Sequence, residues 1–181
     1  MDYTPGIFKM KGYTGYAPAR QMHTTLCKQL ALYVTVYSPL QMVADLPENY
    51  DLHKDAFQFI KDVATDWDDT RVIEAEPGDY ITIARKEKGT SSWFIGAITD
   101  ENSRKALIPL LFLDKGNKYI ATIYHDAVNA NYKDNMEAYV IEQYIVDSST
   151  RLNITLAPGG GAAVSIKPAQ PGQEKTVKAY K

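Results

Sequence analysis

One cysteine, Cys27, is all the chain has in 181 residues, so it can form neither an intrachain disulfide nor a thiolate metal cage. Cys27 falls inside an apolar helical pattern with no basic residue placed in sequence to activate it, which predicts a buried, inert thiol. No apolar run reaches 18 residues, which excludes a membrane-spanning helix, and the first residues lack the basic-then-apolar layout of a signal peptide. Charge of one sign is also missing. Twenty Lys and Arg stand against 22 Asp and Glu, a formal net charge of −2 without a basic block, so no footprint for nucleic acid or an anionic membrane is expected. The three histidines, His23, His53 and His125, fall on three different predicted elements with no metal-ligand spacing. No serine sits in a G-x-S-x-G elbow, and no internal repeat is visible. These absences remove thiol, zinc and serine chemistry as starting points and leave an ordinary globular composition, 45% apolar and 23% charged.

Within that composition two periods alternate. In the first third the spacing is helical: Leu26, Leu30, Tyr33 and Tyr37 recur at i, i+4, i+7 and i+11, widened by Val34, and Pro39 should end this helix near Ser38. "SPLQ" then predicts a second helix to about Asp45, with Ser38 as N-cap, Pro39 at N1 and Gln41 at N3, stopped by Pro47. A third helix is expected with Asp51 as N-cap and Leu52, Ala56, Phe59, Ile60 and Val63 on one side. These apolar faces have no evident cover in the sequence. Leaving Leu26, Leu30 and Val34 exposed would forfeit about 1.5–3 kcal/mol per large side chain.

From about Asp66 the period becomes strand-like. "RVIEAE", "DYITIARK", "SSWFIGAIT", "KALIPL", "KYIATIY", "AYVIEQYIV", "RLNITL" and "GAAVSIK" are separated by turn and loop chemistry such as "PG", "KEKGTS" and "LDKGN". The fold class this predicts is mainly β: an antiparallel β-sandwich of about eight strands over residues 66–168, after a helical segment over 1–65. Alternation in "YITIA" and "YIATIY" suggests sheets with one wet face. "PGGGAA" lacks the Lys-Ser/Thr and following helix of a phosphate loop, so Gly159, Gly160 and Gly161 read as a tight hairpin turn. The nearly apolar-free residues 169–181 read as a flexible tail.

Few residues are placed for chemistry. The acidic run "DWDDT" lacks the ligand order of a calcium loop and reads as a linker before the first strand. Asp2, in the strand-like opening "MDYTPG", is the single carboxylate in a stretch that looks buried, and sugar hydrolysis by paired acids needs two. Tyrosine is abundant, at 13 residues. With Trp67 and Trp93 it supplies candidate platforms for sugar stacking, although Trp93 in its alternating strand could equally pack internally.

The strings "MDYTPGIF", "QLALYV…YSPLQMVADLPENY", "AFQFIKDV…DWDDT", "GDYITIARK", "WFIGAITDENSR" and "GGGAAVSIKP", in this order and spacing, resemble the C-terminal end of a glycoside hydrolase family 97 protein. That family comprises α-glucosidases and α-galactosidases of gut Bacteroides-type bacteria, built from an N-terminal sandwich, a catalytic (β/α)8 barrel and a C-terminal sandwich. The resemblance implies that residues 1–65 are the last strand and helices of a truncated barrel, 66–168 the C-terminal sandwich, and Met1 an internal methionine at a break. It carries over no catalytic residue and no metal ligand, because the family's carboxylates and glutamate-held calcium lie upstream of "MDYTPG". Asp2 and Tyr3 would sit near the sugar pocket at the rim of the eighth barrel strand. The expected role is a non-catalytic structural and oligomerisation module, inactive in isolation and without a cofactor. Its partners would be the missing barrel portion or, through exposed helices, a second copy. The alternatives are a carbohydrate-binding sandwich for α-linked oligosaccharides, or the C-terminal part of a split glycosidase. The resemblance implies a parent protein that is periplasmic or outer-membrane-associated, and the fragment by itself gives no localisation.

Overall fold

The computed structural model describes residues 3–12, 20–173 and 176–181. Three helices, α1 (Leu26–Thr35), α2 (Pro47–Asp51) and α3 (Lys54–Asp62), precede eight strands. These are β1 (Trp67–Glu76), β2 (Tyr80–Glu87), β3 (Trp93–Thr99), β4 (Arg104–Pro109), β5 (Tyr119–Asp126), β6 (Tyr139–Val146), β7 (Arg151–Leu156) and β8 (Gly161–Pro168). All eight predicted strands are present, and every strand pairing is antiparallel. The sandwich is lopsided: a six-stranded sheet in the order β1-β2-β3-β8-β5-β6 faces a two-stranded sheet, β4-β7.

Between the sheets lies one core, formed by Trp93, Ile95, Ile108, Tyr119, Ile123, Leu152, Val164 and Ile166 among others. The alternating burial of β7, with Leu152, Ile154 and Leu156 inward and Arg151, Asn153 and Thr155 outward, is the one-wet-face pattern. β3 and β8 break it. Both are buried over nearly their whole length, because the other face of the large sheet is covered by the helical segment. A second core forms there, joining Leu26, Leu30, Tyr33 and Val34 of α1 and Phe59 of α3 to Phe94, Tyr124 and Ala163 of the sheet.

That layer answers the problem of the uncovered helices. Leu26, Leu30 and Val34, for which the sequence shows no evident cover, are fully buried on the sheet. The seat is built by two close approaches. A Cβ at Gly96 would lie 2.6 Å from the Ala31 carbonyl oxygen, and one at Gly161 would lie 2.9 Å from the Lys28 Cα. Only glycine lets the helix backbone come so near the strands. The N-terminus of α1 is stitched down as well: the Thr25 side chain caps Lys28 N–H, Thr25 N–H donates to the Gly159 carbonyl, and Leu26 N–H to the Met136 carbonyl.

Five local expectations fail for identifiable reasons. The predicted helix from Pro39 to Asp45 does not form; the Ser38 hydroxyl donates to Leu40 O at 2.7 Å and closes a turn instead of capping. The residues after it run extended beside the N-terminal segment, with Met42 N–H donating to Tyr3 O and Ala44 N–H to Pro5 O. Pro47, expected to stop a helix, starts α2 at its first position, and α3 begins after His53, which makes no side-chain cap bond, rather than after Asp51. "DWDDT" is no linker: Trp67 to Thr70 belong to edge strand β1, where Asp68 accepts the Gly89 N–H and Asp69 pairs with Arg71. Last, the tail expected to be flexible is tied down at its end. Ala179 forms a parallel bridge with Ile145 on the edge of β6.

Candidate functional site

Two surfaces stand out, and one buried carboxylate joins the layers between them. The first surface surrounds the N-terminal segment. Residues 3–10 run extended but form no strand; the backbone donors of residues 6–9 are taken by side chains. Gln29 Oε1 accepts the N–H groups of Gly6 and Ile7, and Asp45 Oδ2 those of Phe8 and Lys9. The Tyr33 hydroxyl donates toward the carbonyls of Pro5 and Met42, and the Tyr50 hydroxyl to Gly6 O. Burial, then the neighbouring Tyr50 and Tyr3, push the Tyr33 phenol well above its usual range, so it remains a neutral donor. Burial opposes the Asp45 carboxylate, but donors from Lys9, Asn49, Leu46 and Phe8 outweigh it and hold its pKa below the ordinary value.

Beside this clamp the chain turns apolar side chains outward. Tyr37, Leu40, Met42, Val43, Leu46 and Leu52 are all exposed, six of the eleven large apolar side chains exposed among the described residues. They crowd into sixteen residues, and Leu52 is 78% exposed. Singly scattered exposed apolar residues need no explanation; six of them within sixteen residues is a concentration seen nowhere else among the described residues.

The second surface is a cleft of about 370 Å³ at one edge of the sandwich, lined by His125, Glu142, Asn153, Ala157 and Tyr180 among others. His125 Nε2 lies 3.5 Å from Glu142 Oε2. Between the layers Asp126, 4% exposed, accepts the Ala157 and Gly161 N–H groups on Oδ2, each at 2.9 Å. Its Oδ1 has no partner at ordinary hydrogen-bonding distance, although the Thr25 hydroxyl and Cys27 thiol at the start of α1 are near enough to act on the carboxylate. A Cβ at Gly160 would collide with Asp126 Oδ2, which is why the third residue of "PGG" must be glycine. Burial raises the Asp126 carboxyl above its ordinary value, and these donors offset only part of that. The Cys27 thiol, fully buried, is likewise pushed up by burial and then by Asp126, in keeping with an inert thiol.

The sequence-predicted site residues do not converge. Asp2 lies outside the described residues. Tyr3 is half-buried and forms an isolated parallel bridge to Gln41. Trp93 is 4% exposed and packs on Phe112 with ring centroids 4.4 Å apart, so its ring offers no platform for a sugar. Trp67 is half-buried, with its ring meeting Phe94 at 5.8 Å and fastening β1 to the helical layer. Among the described residues no group of three or more His, Cys, Asp or Glu side chains could hold a metal ion. The sequence spacing places residues 39–45 in a short second helix, and so does not reveal the exposed run over 37–52. The one charge in "PLQMVADL", Asp45, was the available sign that the apolar residues there had no buried face of their own.

These features define an antiparallel β-sandwich with a docked helical layer, an accessory domain whose prominent surfaces are suited to contact. The chain matches the family described as "Glycosyl-hydrolase 97 C-terminal, oligomerisation" over residues 66–167, more than half its length, and belongs to it. A solved glycoside hydrolase family 97 enzyme from Pseudoalteromonas sp. strain K8, in complex with acarbose, shares the fold with a TM-score of 0.89 and 45% identity, over 94% of this chain and 26% of that one. The retaining alpha-galactosidase of Bacteroides thetaiotaomicron is 36% identical over 171 residues, 92% of this chain and 25% of its own length. A beta-arabinopyranosidase structure, with a TM-score of 0.72 and 21% identity, shares the fold alone. The chain thus spans about a quarter of the length of the Pseudoalteromonas enzyme and of the Bacteroides alpha-galactosidase.

Proposed function

We propose that this chain serves as the non-catalytic C-terminal support and assembly module of an enzyme that hydrolyses α-glycosidic bonds. The observation that carries the reading is the exposed apolar run from Tyr37 to Leu52, set against a family match that names oligomerisation and relatives four times as long. In this reading residues 1–65 close a (β/α)8 barrel, residues 66–168 are its C-terminal sandwich, and the apolar run is where the barrel packs. Asp2 and Tyr3 then lie toward the sugar pocket, while the catalytic carboxylates and calcium belong to parts of the enzyme outside these 181 residues. Whether the barrel is continuous with this chain or separately encoded, the same surface receives it.

The purified chain is expected not to hydrolyse p-nitrophenyl α-galactoside or α-glucoside, with or without calcium, and to run as an oligomer in light scattering. Replacing Leu46 and Leu52 together by Asp should raise its solubility without altering its circular dichroism. Turnover by the pure chain would sink the non-catalytic part, and a monomer at every concentration would sink the assembly part.

A further inference from the structure

Two extended segments beside α1 make an incomplete sheet. Tyr3 and Gln41 form a parallel bridge, and the pairing continues with Met42 N–H donating to Tyr3 O at 3.3 Å and Ala44 N–H to Pro5 O at 3.1 Å. Pro5 has no N–H to give the Met42 carbonyl, and the Tyr33 hydroxyl reaches in from α1 to donate there at 3.0 Å. Gln41 Nε2 donates back to Tyr33 O, and Gln29 of the same helix accepts the Gly6 and Ile7 N–H groups. Segment, helix and parallel segment thus follow one another as a strand–helix–strand crossover, the unit from which parallel sheets are built.

The unit stops at two strands, and both its edges are open. The bonds across the pair use Tyr3 and Pro5 on one side and Met42 and Ala44 on the other, so Thr4 and Val43 turn their N–H and C=O groups outward. Neither backbone bonds to a described residue. The faces are open too. Met42 and Val43 are consecutive, so their side chains point to opposite faces, yet they are 39% and 45% exposed. Parallel sheets are ordinarily buried on both faces, so an exposed pair of this kind is a fragment of one.

We infer that this pair supplies two neighbouring strands of the barrel, residues 3–5 the next to last and 41–44 the last, with α1 between them. The partner surface is then defined bond by bond: the rest of the barrel adds one parallel strand along the Thr4 edge and one along the Val43 edge. The inference rests on the barrel reading above and raises from one to two the strands that residues 1–65 bring to it. Relatives about four times as long as this chain have room for the remaining strands. The same count puts Asp45 and the turn after Pro5 at one end of the barrel, the C-terminal ends of the two strands, where such barrels carry their sites. Asp45 Oδ2 accepts Phe8 and Lys9 N–H there at 2.8 and 2.7 Å, which makes Asp45 the positioning residue of that rim.

Hydrogen exchange resolved to single amides tests the count. In the isolated chain the Met42 and Ala44 amides should be protected, while those of Thr4 and Val43 exchange freely. In the full-length Bacteroides thetaiotaomicron alpha-galactosidase with its matching C-terminal quarter replaced by this chain, Thr4 and Val43 should each exchange about tenfold more slowly, or slower still. Slowing at one of the two alone leaves the pair at a sheet edge, which a closed barrel does not have; that overturns the inference and leaves assembly with the rest of the enzyme standing. An isolated chain in which Thr4 and Val43 are as protected as Met42 and Ala44 overturns it as well, because the edges are then already filled. No slowing at any amide of residues 3–65 in the full-length protein overturns both the inference and the barrel reading.

Discussion

On its inner side the β3–β8 pair turns Trp93, Ile95, Val164 and Ile166 toward β4 and β7; on its outer side the same two strands turn Phe94, Gly96, Gly161 and Ala163 toward α1. The inner face fills space with large side chains, as sheet-on-sheet packing at about 10 Å demands. The outer face removes side chains so that a helix can lie almost on the backbone. The two faces therefore have different weaknesses: the inner one is sensitive to lost volume, the outer one to added volume. The helical layer is as dry as the sandwich core, with Leu26, Leu30 and Phe59 all fully buried, although it lies outside the stretch that carries the family match.

The largest effect that could break this comparison comes from truncation on both sides. Leu30→Ala and Ile95→Ala should each cost about 2–5 kcal/mol in chemical denaturation, since both residues are fully buried. If the helical layer were a loosely attached remnant, Leu30→Ala would leave the main transition unmoved. Adding volume comes next. Gly96→Val should cost about 1–3 kcal/mol by driving a branched side chain into α1, and hydrogen exchange should show α1 amides losing protection ahead of β4 and β7. Uniform loss across both layers would mean that they form one cooperative unit.

A smaller loss is expected for Tyr33→Phe, which leaves the buried Pro5 carbonyl without its hydroxyl donor and should cost about 1–3 kcal/mol, at the lower end because Ala44 N–H still donates there. The smallest effect is a pH dependence. The folded pKa of Asp126 lies above its ordinary 3.8, so its contribution is fully present below that value and declines as pH rises through the folded pKa. Asp126→Asn keeps the acceptor for Ala157 and Gly161 and should flatten that decline in thermal unfolding from about pH 4 upward. A decline as steep as in the natural chain would assign it to another group.

The strands were legible because turn chemistry brackets each one and their apolar content is unambiguous over six to ten residues. α1 was legible for the same reason, from the i, i+4, i+7 stripe of Leu26, Leu30 and Tyr33. The second helix was misjudged at its two prolines. A proline can stop a helix or open one, and only the neighbours that bond the flanking backbone decide which. Extended residues 41–44 have such neighbours in Tyr3 and Pro5, nearly forty positions away in sequence. Of the candidate sugar platforms, Trp93 went to the core because its strand faces β4 and β7, a fact that alternation within the strand cannot reveal.

What the sequence determined by itself was local: eight strands, the principal helix and a turn at Gly159, each specified by spacing and turn residues within a short window. That this turn crosses from the small sheet to the large one, and is not the expected hairpin, was decided by the tertiary pairing of β7 with β4 and of β8 with β3 and β5. Its family strings also pointed to the C-terminal end of a family 97 glycoside hydrolase. Tertiary structure alone decided what covers α1, how Asp126 sits beneath Thr25 and Cys27, and where the last residues go. Those outcomes depend on distances between segments far apart in the chain. Small residues such as Gly96 and Gly161 have little periodic signature; their effect appears only when another segment comes to lie against them.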